Sequence, residues 1–457
     1  MFPSHIFKAY DIRGLNEELS PELARALGRA LVEFLRSKNI KLIGREIAIG
    51  RDMRPNSPKL AEALARGVRE SGVDIVDVGL CTTPLFNFCV ANFDRFAGGV
   101  MVTASHNPAE YNGFKITLSG GVPVGKNSGM DELRALTEKY LNNDAPTGEN
   151  IGQTSAFDPL PSYLERVFSL VSPRDLKPLK IVIDAGNGMA KATMPALVAK
   201  TPFQVEYLFL EPDGSFPNHE ANPLKTETLQ VLQAKVLEVG ADFGLALDGD
   251  GDRIGLVDEK GEVVEASFVG ALVGLEVLKH HPGALMLYDL RSSKIVPEVW
   301  VKAGGQVAKS EVGHALVKKQ MRASGAAYGS ELSLHLYFGD MYNIESPELA
   351  LLYFARLLIK ENKTMSELTA PLKKYWHSGE MNFKVQNASV VMARIEDEYK
   401  KYSSEISHLD GLWMGFDWGW FSVRSSNTEP VLRLNLEAST KTVMNEKVAE
   451  VSSLIQK

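Results

Sequence analysis

Short apolar runs alternate with amphipathic stretches along most of the chain, and the spacing in each decides what it can form. Ser20-Pro21-Glu22 places a capping serine before a proline at the first helical position, and the pattern predicts a helix running to about Lys38. Ile47-Ala48-Ile49-Gly50 reads as a short buried strand. Ser57-Pro58 opens the next helix, with Leu60, Leu64 and Val68 on one face and Gly72 at its end, and Val73 to Val78 returns as a strand. The same unit recurs twice. Lys180 to Asp184 is a strand, Leu229 to Val239 a helix, and Gly240 leads into the strand ending at Leu247. Ala284 to Asp289, His314 to Arg322 and Ser324 to Gly329 repeat that order.

Three such segments imply three related α/β domains with mainly parallel sheets and ligand sites beyond the carboxyl ends of the strands. After about Ala370 the rhythm stops. Trp418 to Arg424 and Val431 to Leu436 then read as strands of a smaller α+β domain closed by a C-terminal helix. The polar stretch Asn142 to Asp158 reads as one linker and Asp258-Glu259-Lys260-Gly261 as another, giving expected domains 1–150, 151–257, 258–370 and 371–457.

Composition narrows the function. A chain of 457 residues is too long for one core, and 44% apolar with 23% charged residues is ordinary for a globular protein. A net charge of -7 argues against nucleic-acid binding, so a phosphate site would rely on local arginines and lysines. Cys81 and Cys89 lack metal-ligand spacing and read as buried thiols in a reducing compartment. The N-terminus lacks a signal-peptide pattern and no run reaches membrane-span length, so the expectation is a cytoplasmic protein with no membrane partner.

Candidate chemistry sits at strand ends. Thr103-Ala104-Ser105-His106-Asn107-Pro108 follows the apolar run Gly98 to Val102. A serine hydroxyl is a weak nucleophile and needs an aligned electrophile, a cation or a base; Asn-Pro by itself reads equally as a turn. Asp248-Gly249-Asp250-Gly251-Asp252-Arg253 follows another strand, and three alternating carboxylates repel one another unless a cation lies between them. An EF-hand register would put Glu259 at the twelfth position, but Arg253 stands where glycine is required and a strand precedes the loop, so Mg²⁺ is favoured. Glu331, Ser333 and His335 alternate and on an extended segment would share a face able to bond sugar hydroxyls, although polar alternation on an edge strand reads the same way. Arg424-Ser425-Ser426-Asn427-Thr428-Glu429-Pro430 offers a forked cation, hydroxyls and backbone N–H groups to a phosphate, or is a plain hairpin loop.

Together with Phe7-Lys8-Ala9-Tyr10-Asp11-Ile12-Arg13-Gly14, these stretches resemble the α-D-phosphohexomutases over the whole chain, and within them the phosphomannomutase/phosphoglucomutase branch. The resemblance implies that Ser105 is carried as a phosphoserine that gives its phosphate to a hexose phosphate, through an enzyme-bound hexose 1,6-bisphosphate that also serves as activator. It assigns Asp248, Asp250 and Asp252 to Mg²⁺, with the phosphate on Ser105 completing the shell. It places Arg13, Arg253, His106 and Lys115 in the catalytic set, Lys115 for proton transfer. Tyr10, Arg291, His314, Glu331, Ser333, His335, Arg424, Ser425, Ser426, Asn427 and Thr428 become the expected substrate ligands, with the C-terminal domain closing over the sugar phosphate.

Ser330 and Leu334 depart from the family's usual Gly-Glu-Met-Ser-Gly-His loop, and Lys8-Ala9-Tyr10-Asp11 departs from the opening of the glucosamine branch. The alternatives are a phosphoglucosamine mutase or a catalytically silent, Mg-bound sugar-phosphate-binding regulator. The expected partners are hexose phosphates alone, with the chain a monomer or weak homodimer.

Overall fold

The strands read from Ile47–Gly50 and Gly98–Val102 lie parallel and adjacent, Glu46–Arg51 against Phe96–Val102. The computed structural model, which describes residues 2–143, 150–425 and 431–456, builds a mixed sheet around that pair. Its order is Ile12–Leu15, Tyr111–Leu118, Phe96–Val102, Glu46–Arg51, Ile75–Leu80, Thr154–Ala156. Successive residues of a strand face opposite ways. Ile47 and Ile49 enter an apolar cluster with Leu27, Leu31 and Leu64 from helices Pro21–Ser37 and Ser57–Glu70. On the other face Gly50 and Gly99 make room for Phe86 of helix Thr83–Asn92: a Cβ on either would lie 2.8 or 2.7 Å from the ring. Ser20 caps the first helix as its pattern predicts, its hydroxyl accepting from Leu23 N at 3.2 Å.

The stretch read as a linker from Asn142 to Asp158 is not all loop. Thr154–Ala156 is a strand, paired parallel to Ile75–Leu80 at the sheet edge. Its three residues are exposed, so no apolar alternation announced it.

A second sheet holds Gln204–Leu208, Lys180–Asp184 and Phe243–Leu247 in parallel, with Ile254–Asp258 and Val263–Val264 added antiparallel. A domain boundary at 257/258 would therefore cut a hairpin. Residues 259–262 are its turn, closed by Asp258 N donating to Glu262 O at 2.8 Å, and Asp258 Oδ1 accepts from Lys260 N and Glu262 N.

The chain separates into two compact units, one of residues 1–265 with 333–366, the other of 266–332 with 367–457. Besides the two sheets, the first unit contains the hairpin Leu336–Phe338 with Ile344–Glu345 and helix Pro347–Glu361. Buried Tyr163, on helix Leu160–Leu170, donates to Glu348 Oε2 at 2.6 Å and lies 2.8 Å from Ser346 Oγ.

The second unit has a parallel trio, Gln306–Ser310, Leu285–Asp289 and Tyr328–Ser330. It also has an antiparallel sheet ordered Trp376–His377, Val431–Ala438, Gly419–Ser425, Leu412–Phe416, Glu405–Ser407, with Met381–Lys384 also paired to Val431–Ala438. Val391 and Ile395 of helix Ala388–Tyr399 and Val451 and Ile455 of helix Lys441–Gln456 pack with Phe421 and Leu434 of that sheet. Among the described residues no helix is long and apolar enough to cross a membrane.

The extended segment expected over Glu331 to His335 is a turn. The strand ends at Ser330, Asp289 Oδ2 takes the amide of Leu332 at 2.8 Å, and Leu334 sits at φ 69°. Glu331, Ser333 and His335 therefore share no strand face.

Candidate active site

Ser105 stands three residues beyond the end of Phe96–Val102 and is 2% exposed. Its backbone lies in the left-handed region, φ 51°, a costly conformation for a residue with a Cβ and one that persists only where the surroundings over-determine it. Arg54 supplies much of that determination. Its guanidinium donates to the carbonyls of Ser105 (2.9 Å), Asn107 (2.5 Å), Pro108 (2.7 Å) and Tyr111 (2.9 Å), while its Nε donates to Asp52 at 3.2 Å. Ser105 N donates to Thr103 Oγ1 at 2.9 Å, and Arg13 reaches the same loop through Asn107 Oδ1 at 3.0 Å, its other branch paired with Asp11.

The loop after Phe243–Leu247 meets this one. Gly249 has to be glycine there, because a Cβ would lie 2.4 Å from the carbonyl oxygen of Ser105. Ser105 Oγ donates to Asp248 Oδ2 at 2.9 Å and lies 3.2 Å from His106 Nδ1. Asp248 Oδ1 accepts from the backbone N–H groups of Asp252 and Arg253, at 2.9 and 3.1 Å, and the Arg253 guanidinium is 3.8 Å from its other oxygen. Asp250 Oδ2 accepts from Thr83 Oγ1 and from Lys115 Nζ, both at 2.6 Å. Lys115 also donates to Asp252 Oδ2 at 2.7 Å, and His335 Nε2 is 3.2 Å from Asp252 Oδ1.

The electrostatics are those of a site that wants more positive charge. Burial, with Asp252 and Asp250 alongside, pushes the Asp248 carboxyl up to about 8. Burial opposes the charge on Asp252 as well, but Lys115 and His335 outweigh it and hold that carboxyl well below its usual range. Burial works against the Lys115 ammonium too, yet Asp250 and Asp252 raise it above the ordinary lysine value. Lys115 is therefore held as a positive charge by these two carboxylates in this arrangement. His106 is kept neutral by burial and by Arg253 and Arg13, and its Nδ1 stands within hydrogen-bond distance of Ser105 Oγ.

The three aspartates fit a divalent cation. Each offers an oxygen within 4.8 Å of the others, and all three are buried. Asp250 Oδ1 is buried without a hydrogen-bond partner among the described residues, a costly state that a bound cation would relieve.

The remaining expected ligands divide by unit. Tyr10 is half-buried in the bend before Ile12–Leu15, and Ser333 Oγ lies 2.9 Å from His335 Nδ1, all in the unit of Ser105. In the second unit Glu331 Oε1 accepts from Gly313 N at 2.8 Å, at the head of helix His314–Ser324, whose first residue His314 is half-buried. Arg291 is buried and bonded to Asp289 Oδ2 at 2.6 Å. Arg424 is the largest surprise. The strand read from Trp418 to Arg424 is there, as Gly419–Ser425, but Arg424 is only 4% exposed, its guanidinium 3.3 Å from Asp410 and 3.3 Å from Glu380. Ser425 is exposed beside it; Ser426, Asn427 and Thr428 lie outside the described residues.

Sequence reasoning missed Arg54, Thr83, Glu380 and Asp410. Arg54 had a usable signal, since Gly50-Arg51-Asp52-Met53-Arg54 leaves the tip of the strand next to the one that leads to Ser105.

Known proteins settle the lineage. Models of the phosphoglucomutase/phosphomannomutase family match in order: its alpha/beta/alpha domain I over residues 4–144, domain II over 161–261, domain III over 266–375 and its C-terminal domain over 380–453. The chain belongs to the phosphoglucomutase/phosphomannomutase family. As a member it has three α/β/α domains with mixed sheets and a C-terminal domain built on an antiparallel sheet. It is 38% identical over 453 residues to a protein named as a phosphohexose mutase from Xanthomonas campestris pv. campestris, covering 98% of this chain and 99% of that one. A phosphomannomutase of Vibrio cholerae is 37% identical over 461 residues, covering 99% and 98%. A family crystal structure from Burkholderia thailandensis superposes with a TM-score of 0.89 at 30% identity, over 100% of this chain and 98% of that one.

Proposed function

We propose that this family member is a phosphohexose mutase that interconverts hexose 1-phosphate and hexose 6-phosphate, with Ser105 as the residue that carries the phosphoryl group. The observation behind this reading is the hydrogen bond from Ser105 Oγ to Asp248, which sets a buried, backbone-clamped hydroxyl against three carboxylates. In the forward half-reaction the P–Oγ bond of phosphoserine breaks as a bond forms to the free sugar hydroxyl, giving hexose 1,6-bisphosphate; the hydroxyl loses its proton and the freed Ser105 Oγ takes one up. After the bisphosphate turns over, its other phosphoryl group returns to Ser105 Oγ, which loses its proton, and the sugar oxygen it leaves takes one up.

The protein's part is alignment and charge. Asp248, Asp250 and Asp252, with an oxygen of the Ser105 phosphate, would hold Mg²⁺, which when bound supplies positive charge beside the phosphoryl oxygens. Arg13, Arg253 and Lys115 add positive charge around the same loop, Lys115 is the proton-transfer group in this reading, and His106 Nδ1 lies 3.2 Å from Ser105 Oγ. Glu331, Ser333 and His335 are the sugar-hydroxyl ligands in this reading, and Arg424 with the loop after it is the clip for the phosphate that is not reacting. Tyr10, Arg291 and His314 complete the substrate set. Cys81 and Cys89, both buried and free, suit a reducing, cytoplasmic setting.

The test is a coupled assay on mannose 1-phosphate, glucose 1-phosphate and glucosamine 1-phosphate, with a hexose 1,6-bisphosphate activator and Mg²⁺. Turnover on mannose or glucose phosphate is expected to exceed turnover on the glucosamine ester, and chelation should abolish it. Intact-mass measurement should show a fraction of the protein heavier by one phosphate, absent from Ser105→Ala together with nearly all activity. Wild-type turnover in Ser105→Ala would end the phosphoserine reading.

A further inference from the structure

Within the second unit three arginines converge on one carboxylate. Glu380 Oε2 is 3.3 Å from Arg424 Nη2 and 3.8 Å from Arg291 Nη1, while its Oε1 is 3.3 Å from Arg433 Nη1. Charge-assisted N–H···O bonds settle near about 2.7–2.9 Å, so these contacts are long. The pairing Arg291 makes with Asp289, at 2.6 Å, shows what a committed one looks like. Arg424 is also incompletely used: its Nη1 is 3.3 Å from Asp410, and its Nε, buried, has no hydrogen-bond partner among the described residues. Burial works against the charge on Glu380, yet Arg291, Arg433 and Arg424 outweigh it and hold the carboxyl below its usual range.

A carboxylate offers two oxygens; a phosphate monoester offers three around one phosphorus, with close to twice the charge. The side chains of Glu380 and Arg433 are 27% and 29% exposed, whereas that of Arg424 is 5% exposed, so the cluster opens to water on the side Glu380 occupies.

We propose that Glu380 is a resident counter-ion that stands in for a phosphate monoester and must give up Arg424 and Arg433 when that phosphate arrives. The proposal rests on the reading of Arg424 as a phosphate ligand. Glu380 keeps three buried or half-buried guanidiniums together in the empty protein, at the expense of affinity, because the incoming anion has to displace it. Such an exchange keeps binding weak enough for release, and release is needed when one sugar phosphate must leave in two orientations.

The experiment is calorimetric titration of the full-length protein with inorganic phosphate, in an otherwise phosphate- and sulfate-free buffer. Glu380→Gln preserves the shape and an acceptor oxygen but removes the charge, and is expected to bind phosphate about tenfold more tightly, which corresponds to about 1.4 kcal/mol. The gain should vanish in the Arg424→Ala background, as a coupled pair requires. Kinetically, KM for a hexose 1-phosphate should fall in Glu380→Gln while kcat falls less or holds. Glu380→Asp, which retracts the carboxylate, should show a smaller gain in the same direction and serves if the amide variant does not fold. Equal or weaker phosphate binding by these variants, or a gain that survives in Arg424→Ala, overturns the proposal. The titration needs no turnover, so a failed mutase assay and a failed exchange are told apart; and wild-type phosphate affinity in Arg424→Ala alone would remove the clip itself.

Discussion

Arg54 carries more of the Ser105 loop than any residue the motifs drew attention to. Four carbonyl oxygens, those of Ser105, Asn107, Pro108 and Tyr111, end on one guanidinium that is 1% exposed and paired with buried Asp52. The left-handed backbone of Ser105 costs on the order of 1 kcal/mol or more, and these bonds are what offset it. Arg54→Lys keeps a positive charge near Asp52 but replaces a five-donor fork with a single ammonium. Losing two or three buried bonds should lower stability by about 2–3 kcal/mol. If Arg54 positions the serine, kcat should fall at least tenfold with KM nearly unchanged, a split that steady-state kinetics below the melting transition would read. Equal losses of activity and folded fraction would mean that Arg54 only stabilises. The sequence places Arg54 at a strand tip beside the serine loop but does not reveal this role, since its partners are main-chain oxygens. The acidic cluster was readable for the opposite reason: like charges at alternating positions are improbable without a cation to share.

At the level of elements, the joint between strand Lys180–Asp184 and the loop that returns toward Phe243–Leu247 contains a titrating pair. His219 Nε2 is 3.0 Å from Asp184 Oδ2, and that hydrogen bond, working against burial, raises the imidazole above its usual value. A raised folded value means the pair stabilises fully below the unfolded imidazole pKa and loses that contribution as pH climbs through the folded one. The Tm of wild type should therefore exceed that of His219→Gln by more at pH 5.5 than at pH 9; a gap independent of pH would deny the pair any charge. The βα rhythm was legible because buried strands must be apolar and helices must end, often at glycine: Gly240 and Gly325 both sit in the left-handed conformation. The segments whose local structure the pattern left open share a cause. Thr154–Ala156 is an exposed edge, residues 259–262 a charged hairpin turn, and 331–335 a polar turn, and polar alternation looks the same in a linker, a turn and a strand with nothing to bury.

For the whole molecule, the two compact units are not two halves of the sequence. The first depends on residues 333–366, which supply Ser346 and Glu348 to the buried hydroxyl of Tyr163, whereas the C-terminal sheet and its helices form an apolar cluster of their own. A fragment of residues 1–265 is expected to aggregate or melt well below the full chain, and one of residues 376–457 to unfold cooperatively alone, as circular dichroism and gel filtration would show. A fragment 1–265 as stable as the full protein would contradict that dependence. The contacts that assemble the serine site are also remote in the chain: Ser105 to Asp248 spans 143 residues, Thr83 to Asp250 spans 167 and Lys115 to Asp250 spans 135. Synthesis runs from the N-terminus at about 5–20 residues per second, and domains fold as they emerge. For some seconds on the ribosome, then, the nascent first domain holds a serine without carboxylates and a lysine without a counter-ion. If Ser105 carries the phosphate as proposed, that phosphate becomes a time stamp, acquired only by molecules whose second domain has been made and docked.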